Sequence, residues 1–397
     1  MSFAAVTRMA GRVNQGGCCP MKAPLTVHII DDVHAWDAIR ADWDALCQVS
    51  PTMSTALDFT WLRHWWNTYG PAYGAAGLRI VTLWREVQMV GALPLYIAHG
   101  QGGIAAARCL RFISTGEAEF EETCTDYLNL LHLPGEGDAC AQAAWAAVAA
   151  MNWDTLQLLD IPADSPLLLW REMLPRRGRF RLASRGSCPI ARIEGGFEAY
   201  LDRLSTKSRG RARRELRKAV QAGAVFELAS AADAGAYYDD LIRIHQARWT
   251  AIGQPGCFAV PRFTAFHRIL VGEWVASGRV VLARLTYRGQ ACAVVYGFQT
   301  GDKFDLYQQG VRPVDDDAIH SPGMVANLLL MTRLAERAVA RYDLLRGVTP
   351  FKRLLMTEQC PLTALECRRM TVRALLEAMV HQCRLVLRKV SRMLLRC

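Results

Sequence analysis

The sequence predicts an α/β (α+β) protein built from two tandem copies of one mixed domain, each with a mostly antiparallel sheet flanked by helices. Short β-branched runs alternate with segments of helical apolar spacing along the chain. The order of these elements in the first half returns in the second half, at too long a period for a solenoid. A length of 397 residues with 51% hydrophobic residues is sufficient for two sizeable cores.

The first half begins with one strand and two aromatic-rich helices, and several short strands then surround an alanine-rich helix. The predicted strands are Leu25–Ile30, Leu78–Trp84, Met89–Ile97, Arg108–Ile113, Tyr127–Leu131 and Thr155–Leu159. The predicted helices run from Trp36 to Leu46, from Leu57 to Tyr69 and from Ala139 to Met151.

The second half repeats this order of elements. The predicted helices are Tyr237–Thr250, Arg262–Ser277 and Met324–Val339, and the predicted strands are Val280–Tyr287, Ala291–Gln299, Phe304–Val311 and a short one in Tyr342–Gly347. We therefore expect one domain at residues 21–185 and a second at 186–371. Residues 1–20 are expected to be disordered, and residues 372–397 are expected to form a basic amphipathic helix.

Basic residues exceed acidic ones by ten, but two segments account for the excess. Lys207–Lys218 carries +6 and Val372–Cys397 carries +5, so the other residues sum to −1. This distribution excludes a chain-wide nucleic-acid footprint, and we expect no DNA partner. Thirteen scattered cysteines without a C-x-x-C pair predict reduced thiols in a cytoplasmic protein that holds no metal.

Several motifs of common enzyme classes are missing from the sequence. It contains no G-x-x-x-x-G-K-[ST], no H-E-x-x-H and no G-x-S-x-G. Gly100-Gln101-Gly102 with Ala105 fits a dinucleotide-binding pattern, but a predicted strand follows it where that fold needs a helix. Its most apolar stretch, Ala143–Met151, is far shorter than the roughly 20 residues of a membrane span.

A strand, a loop and a helix start meet at Ser321-Pro322-Gly323. The first amides of a helix have no internal partner and carry partial positive charge, so Ser321, Pro322, Gly323 and Met324 are candidates for binding a phosphate. The simpler interpretation is an ordinary helix cap with proline in the first turn.

A second group of polar residues follows the short strand near residue 343. Asp343, Arg346 and Lys352 lie within ten residues of one another, as in a site at a strand end. The alternative is a surface ion pair beside a turn.

A histidine lies on the predicted helix Tyr237–Thr250. His245 and Arg248 share one face of this helix, and Trp249 lies beside them. His245 is a candidate general base, and Arg248 and Trp249 are candidates for substrate binding. The alternative is a half-buried core histidine.

Both basic segments have two interpretations. Lys207, Arg211, Arg214 and Lys218 form a stripe that could bind phosphates, an acidic glycan or RNA, or could simply face solvent. No aromatic residues lie among them to stack bases. The helix at 372–397 suits an anionic membrane surface, or else it docks on its own domain.

Taken together, these features resemble the GNAT-type acetyltransferases named after the cellulose-biosynthesis protein CelD, a family with two tandem GNAT-like domains that is related to Fem-type aminoacyl-tRNA-dependent transferases. The resemblance covers most of residues 30–370. It rests on the order and spacing of Phe59-Thr60-Trp61 with Trp65, Val90-Gly91-Ala92-Leu93-Pro94-Leu95, Ser205-Thr206-Lys207 with Arg213-Arg214, His245 with Arg248-Trp249, Ser321-Pro322-Gly323, and Asp343 with Arg346-Gly347 and Phe351-Lys352.

The resemblance implies an acyl-CoA site in the second half. The pyrophosphate would lie on the amides after Ser321, and the pantetheine would follow the strand that holds Gly310. Asp343 or His245 would act as the base, and Lys352 is a further candidate for catalysis. Arg346 and Lys352 would bind anions, and the acceptor would contact Arg248, Trp249 and Lys207. The family commonly has tyrosine where this chain has Phe351, so that hydroxyl is missing as a proton donor.

The implied reaction is transfer of an acyl group, such as acetyl from acetyl-CoA, to an amine or hydroxyl of a small molecule or glycan precursor in polysaccharide synthesis. Two alternatives stay open. One is a Fem-like transferase that uses aminoacyl-tRNA and binds the RNA with Lys207–Lys218. The other is a non-catalytic scaffold held peripherally at the inner membrane by residues 372–397.

Overall fold

The computed structural model describes residues 23–74, 77–99, 106–173, 179–314, 318–376 and 379. The strands are β1 (Thr26–Ile30), β2 (Ile80–Arg85), β3 (Gln88–Leu93), β4 (Leu95–His99), β5 (Arg108–Phe112), β6 (Leu131–His132), β7 (Thr155–Pro162), β8 (Arg179–Arg192), β9 (Val225–Leu228), β10 (Val280–Tyr287), β11 (Gln290–Thr300), β12 (Lys303–Val311), β13 (Arg341–Asp343) and β14 (Glu358–Arg368). The α-helices are α1 (Val33–Ala38), α2 (Arg40–Val49), α3 (Phe59–Tyr73), α4 (Gly137–Ala150), α5 (Trp170–Met173), α6 (Phe197–Arg203), α7 (Thr206–Gln221), α8 (Ala234–Ala251), α9 (Pro261–Trp274), α10 (Pro322–Ala335) and α11 (Pro350–Leu355).

The strands form two sheets with helices packed against them. A four-stranded sheet of the first half has the order β1-β2-β3-β6. A ten-stranded sheet has the order β4-β5-β7-β14-β8-β13-β12-β11-β10-β9 and therefore runs through both halves. All strand pairs are antiparallel except β5 with β7 and β12 with β13. The predicted fold class is confirmed.

The two halves share one crossover unit. In each half a strand is followed by a connection that contains a helix, and then by a strand that pairs in parallel with the first strand; in the first half this connection also contains the short strand β6. The first half builds this unit from β5, α4 and β7, and the second half builds it from β12, α10 and β13. A parallel pair needs such a crossover, because its two strands run in the same direction.

The sheet is continuous where the halves meet. Strand β14, the last strand in the described residues, lies between β7 of the first half and β8, with antiparallel pairs on both sides. The predicted boundary between residues 185 and 186 falls inside β8. The halves are therefore joined by backbone hydrogen bonds as well as by side-chain packing.

One predicted strand is wrong. We expected a strand at Tyr127–Leu131, but the structure has only the short β6 at Leu131–His132. Tyr127 has a φ of 64°, in the left-handed region, which no strand residue adopts. Its side chain turns toward Asp343 and bonds that carboxylate.

Some predictions fall largely outside the described residues. The proposed disordered segment 1–20 lies entirely outside them. Of the predicted helix 372–397, the described part is helical from 372 to 376 and at 379, and it exposes Val372, Leu375, Leu376 and Met379. In the described ranges, no helix is both long and apolar enough to cross a membrane. The nine described cysteines are free thiols.

Candidate active site

Strands β12 and β13 run side by side and then separate. Their parallel register holds from Lys303 opposite Arg341 to Asp305 opposite Asp343, where β13 ends. Beyond this point β12 and the segment that follows β13 separate around a cavity of about 430 Å³. The lining residues are Cys124, Asp126, His245, Arg248, Trp249, Ile252, Leu306, Tyr307, Gln308, Gln309, Leu344, Leu345, Arg346, Phe351 and Lys352.

A β-bulge lies in the cavity wall. Tyr296 of β11 pairs with Gln308 and Gly297 pairs with Leu306, so Tyr307 is an extra residue on β12. A bulge bends its strand and frees local backbone groups, and bulges are common beside active sites. On the β13 side, the edge of β12 from Leu306 to Gln309 faces the cavity. This edge can pair with an extended ligand.

Helix α8 forms the opposite wall and contributes three of the predicted residues. His245, Arg248 and Trp249 all line the cavity. His245 is buried at 5% exposure, its Nδ1 lies 3.0 Å from Oε1 of Gln246, and burial lowers its pKa. The ring is therefore neutral at physiological pH. Arg248 is exposed.

Asp343 lies behind the cavity wall. It is completely buried, and it accepts hydrogen bonds from the N–H of Leu345 at 2.7 Å and from the hydroxyl of Tyr127. Lys303 lies 3.8 Å away and also bonds Asp305, at 2.8 Å. Burial raises the pKa of Asp343 to about 6, against the opposing charge of Lys303. Asp343 therefore belongs to a buried ion cluster and does not line the cavity.

Lys352 and Arg346 line the cavity but already have protein partners. The ammonium of Lys352 donates to the carbonyls of Leu345 and Arg346, both at 2.9 Å, and burial lowers its pKa. Arg346 pairs with Asp126 at 3.3 Å and with Asp160 at 3.1 Å. In this arrangement Lys352 braces the loop after β13, and Arg346 connects that loop to the first half.

Helix α10 begins at Pro322, after the Ser321 at which the sequence predicts a helix start. Residues 321–324 do not line the cavity, but Gln309, which does, donates from its side-chain amide to the carbonyl of Gly323 at 3.0 Å. Pro322 occupies the first helical position, where its missing N–H costs nothing. Gly323 packs so tightly that a Cβ there would lie 2.8 Å from both Gln309 Nε2 and Val311 Cγ2. Met324 is buried behind it. These residues fix the helix start against β12.

Helix α7 lies beside that helix start and brings part of the basic stripe to it. Arg211 donates to the hydroxyl of Ser321 at 3.4 Å, and Nζ of Lys218 lies 2.9 Å from Nε2 of His320. Glu215, on the same face, is buried at 3% exposure, so the three charges sum to +1. The helix start and these cations form one electropositive corner.

The other members of the stripe point elsewhere. Lys207 and Arg214 are exposed on α7 and do not line the cavity. Gly310 is not in the lining either. A Cβ there would lie 3.1 Å from the carbonyl oxygen of Leu241, so this glycine allows β12 and α8 to approach each other.

The sequence analysis missed the contribution of the first half to the cavity. Cys124 and Asp126 come from the loop between β5 and β6, and Tyr307 and Gln309 come from β12. The two β12 residues lie in the strand predicted to hold the pantetheine, so that prediction contained a signal for them. No pattern in residues 113–130 indicated a loop that reaches the other half. No group of three or more His, Cys, Asp or Glu residues in the described ranges could hold a metal.

Comparisons with known proteins agree with this geometry. Residues 206–353 match the model of the acetyltransferase (GNAT) domain family, a range that holds most of the cavity wall, α7 and the start of α10. Over this range the chain is similar to GNAT-type acetyltransferase domains. A comparison with curated proteins gave no match.

Among solved structures, the crystal structure of FemX is 10% identical, with a TM-score of 0.53, and the match covers 84% of this chain and 96% of FemX. A protein of unknown function from Bacteroides thetaiotaomicron is 13% identical, with a TM-score of 0.49 and coverage of 87% and 100%. A tandem GNAT protein from the clavulanic acid biosynthesis pathway is 13% identical, with a TM-score of 0.42 and coverage of 86% and 98%. The likeness to FemX concerns the fold.

Proposed function

We propose that the protein is an acyltransferase that moves an acyl group, such as acetyl, from acyl-CoA to an amine or hydroxyl. The observation that carries this proposal is the cavity at the point where β12 and β13 separate, next to the start of α10. The free edge of β12 suits an extended pantetheine arm, and the electropositive corner suits the phosphates at the other end of the same molecule.

The protein's main contribution to such a reaction is positioning. A thioester and a nucleophile held together in one cavity react as if at very high concentration. Backbone amides of the bulged strand, if directed at the thioester carbonyl, stabilise the negative charge that develops on its oxygen. Arg248 and Trp249, at the mouth on α8, are in place to contact the acceptor. The resemblance to the family named after CelD supports an acceptor on a sugar or glycan precursor.

The assignments of Asp343, His245 and Lys352 to catalysis stay predictions. The roles proposed for Ser321, Met324 and Arg346 in holding the donor, and for Lys207 in holding the acceptor, do so as well. Cytoplasmic localisation and membrane contact through residues 372–397 are likewise proposals.

The test is binding of acetyl-CoA and longer acyl-CoAs by calorimetry, with variants of α7. We expect the double variant Arg211→Glu with Lys218→Glu to weaken binding at least tenfold, because it reverses two charges at the corner. Arg213→Glu is the matched control. Arg213 lies on the exposed side of α7, where it pairs with Glu198 of α6. Gly323 is unsuitable for substitution, because any side chain there collides with β12.

The result also decides between the donors. Failure of every acyl-CoA to bind would rule out the proposal. The Fem-like alternative would then be measured as tRNA affinity against salt, where each phosphate contact contributes roughly one log unit per log unit of salt. A shallow slope would exclude it.

A further inference from the structure

A loop of the first half closes the cavity of the second half. Residues 113–130 follow β5 and place Cys124 and Asp126 in the cavity wall. The hydroxyl of Tyr307 on β12 donates to the carbonyl of Thr123 at 2.6 Å, which ties this loop to the second half. Asp126 therefore has a fixed position in the site although it lies far away in the sequence.

Asp126 is the carboxylate among the lining residues, and its two oxygens differ. Oδ2 accepts hydrogen bonds from the N–H of Arg346 at 2.7 Å and from the thiol of Cys188 at 3.7 Å. Oδ1 lies 3.3 Å from Nε of Arg346 but makes no hydrogen bond. The residue is only 7% exposed, so water does not readily supply the missing hydrogen bond to Oδ1. A bound ligand that donates an N–H or O–H would supply the hydrogen bond that Oδ1 lacks.

The surroundings of Asp126 suit a base at neutral pH. Burial raises its pKa to about 6, and Asp160 on β7 adds to that rise, whereas Arg346 opposes it. Cys124 of the same loop, Arg185 and Cys188 on β8, and Lys352 on α11 are further titratable groups that interact with it. The carboxylate is thus ionised at pH 7, and it holds a proton more strongly than an exposed aspartate does.

Backbone strain is concentrated around this residue. Cys124 and Tyr127, on either side of Asp126, have φ values of 45° and 64°, and Leu345, next to Arg346, has a φ of 56°. Each non-glycine residue in this region costs about 1 kcal/mol or more, and such strain accumulates where function requires a fixed geometry. The surrounding contacts therefore hold Asp126 and Arg346 in a conformation that the chain alone would not choose.

We propose that Asp126, a residue of the first half, is the catalytic base of the transfer in the second half. This inference rests on the proposed acyltransferase function. The acceptor's nitrogen or oxygen forms a bond to the thioester carbonyl carbon, the carbon–sulfur bond breaks, and the acceptor's proton passes to Oδ1 of Asp126. Asp126 then gives that proton to the leaving thiolate. The products are the acylated acceptor and free CoA thiol, and the carboxylate is regenerated.

The test compares Asp126→Asn with Asp160→Asn. Both residues bind the guanidinium of Arg346, at 3.3 and 3.1 Å, but only Asp126 lines the cavity. We would measure thiol release from acetyl-CoA between pH 5 and 9, with hydroxylamine or glucosamine as the acceptor probe, and acetyl-CoA affinity by calorimetry. Asp126→Asn is expected to lower kcat at least 100-fold, to abolish the rise of rate with pH near 6, and to leave acetyl-CoA affinity within about twofold.

The two variants distinguish a base from a residue that only positions Arg346. Asp160→Asn should keep the rise of rate with pH. If it produces the same loss as Asp126→Asn, the carboxylate acts by positioning Arg346 and is not the base. Full activity of Asp126→Asn also overturns the inference while leaving the acyltransferase proposal intact. Absence of acyl-CoA binding to the unmodified protein overturns both.

Discussion

The first half and the second half build the same strand, helix and parallel strand, but they treat the space beyond the parallel pair differently. In the first half, the chain after β5 folds back into this space, and the N–H of Tyr127 bonds the carbonyl of Asp160 on β7. In the second half, the corresponding space beside β12 is the cavity. Among the described residues, the loop after β5 therefore contacts β7 in the first half, whereas the space beside β12 in the second half is a cavity.

The N-termini of helices α4 and α10 also differ between the two halves. Helix α4 of the first half is preceded by Glu136, a buried carboxylate that pairs with Arg85 at 2.7 Å. Helix α10 of the second half is preceded by Ser321, beside Arg211 and Lys218. Negative charge at a helix start is favoured by the helix dipole, although the Glu136 side chain makes no hydrogen bond to the first amides of α4. The family match to residues 206–353 covers the half without this acidic helix start.

The loop of the first half that contacts β7 is nevertheless part of the site. This loop, residues 113–130, contributes Asp126 to the wall of the cavity in the second half. Cys124 and Asp126 of the first half thus form part of the wall of the cavity in the second half. Three predictions test this division of labour, and we give them in order of decreasing expected effect.

The largest effect is expected from Trp61→Ala, at the contact between the halves. Trp61 is buried, its Nε1 donates to the hydroxyl of Ser114 at 2.9 Å, and its ring packs on Phe266 and Phe298 of the second half. Truncation of a fully buried tryptophan costs about 3–5 kcal/mol of unfolding free energy. Denaturant unfolding measures this loss, and the thiol-release assay below the transition measures activity.

The matched control is Trp145→Ala. Trp145 is also buried but packs on Trp170 within the first half. We expect a comparable loss of stability from this variant, with activity retained in the folded protein. Equal losses of activity in the two variants would mean that the contact between the halves has no special role in shaping the cavity.

These contacts also show where the sequence was informative. The strand at Phe304–Val311 and the helix start at Ser321 follow from local patterns, because alternation and capping act over a few residues. The structure confirms both elements, as β12 and α10. Of the predicted site residues, those on α8 and Arg346 after β13 line one cavity, and they lie on or directly after elements that the sequence predicts.

What the sequence did not reveal depends on contacts between distant segments. Asp126 lies in a loop whose left-handed residues, Cys124 and Tyr127, are held by the second half. Such conformations are imposed by tertiary structure and leave no local signature. In the same way, Asp343 looks like a surface acid at a strand end, but the side chains of Tyr127 and Lys303 enclose it.

The second prediction compares two buried carboxylates, Asp126 at the site and Asp154 in the frame of the first half. Burial raises the pKa of Asp126 from 3.8 to about 6. The folded protein therefore binds this proton more tightly than the unfolded chain does, so ionisation destabilises the fold as the pH rises from 4 to 6. Asp126→Asn should increase the unfolding free energy by about 3 kcal/mol at pH 7, with only a small gain near pH 4.

The pKa of Asp154 is shifted in the opposite direction. Burial alone would raise its pKa, but hydrogen bonds from the side chain and backbone of Arg108 outweigh that effect and lower the pKa to about 2. Its stabilisation is therefore present above pH 4 and is lost as the pH falls toward 2. Asp154→Asn should destabilise the protein at pH 7. Unfolding curves at pH 4 and 7 test both variants, and a loss of stability in Asp126→Asn at pH 7 would contradict the raised pKa of Asp126.

The smallest of the three effects is expected from Ser321→Glu, which gives the second half the acidic helix start of the first. The new carboxylate would lie at the α10 N-terminus within reach of Arg211, where it satisfies the helix and its cations as a phosphate would. Stability should therefore hold or rise slightly, whereas the affinity for acetyl-CoA should fall about tenfold, which corresponds to about 1.4 kcal/mol. Ser321→Gln is the control, because it adds nearly the same volume without charge. If both variants bind acetyl-CoA equally, the difference between the two helix starts is one of shape, and charge does not determine which half can take the donor.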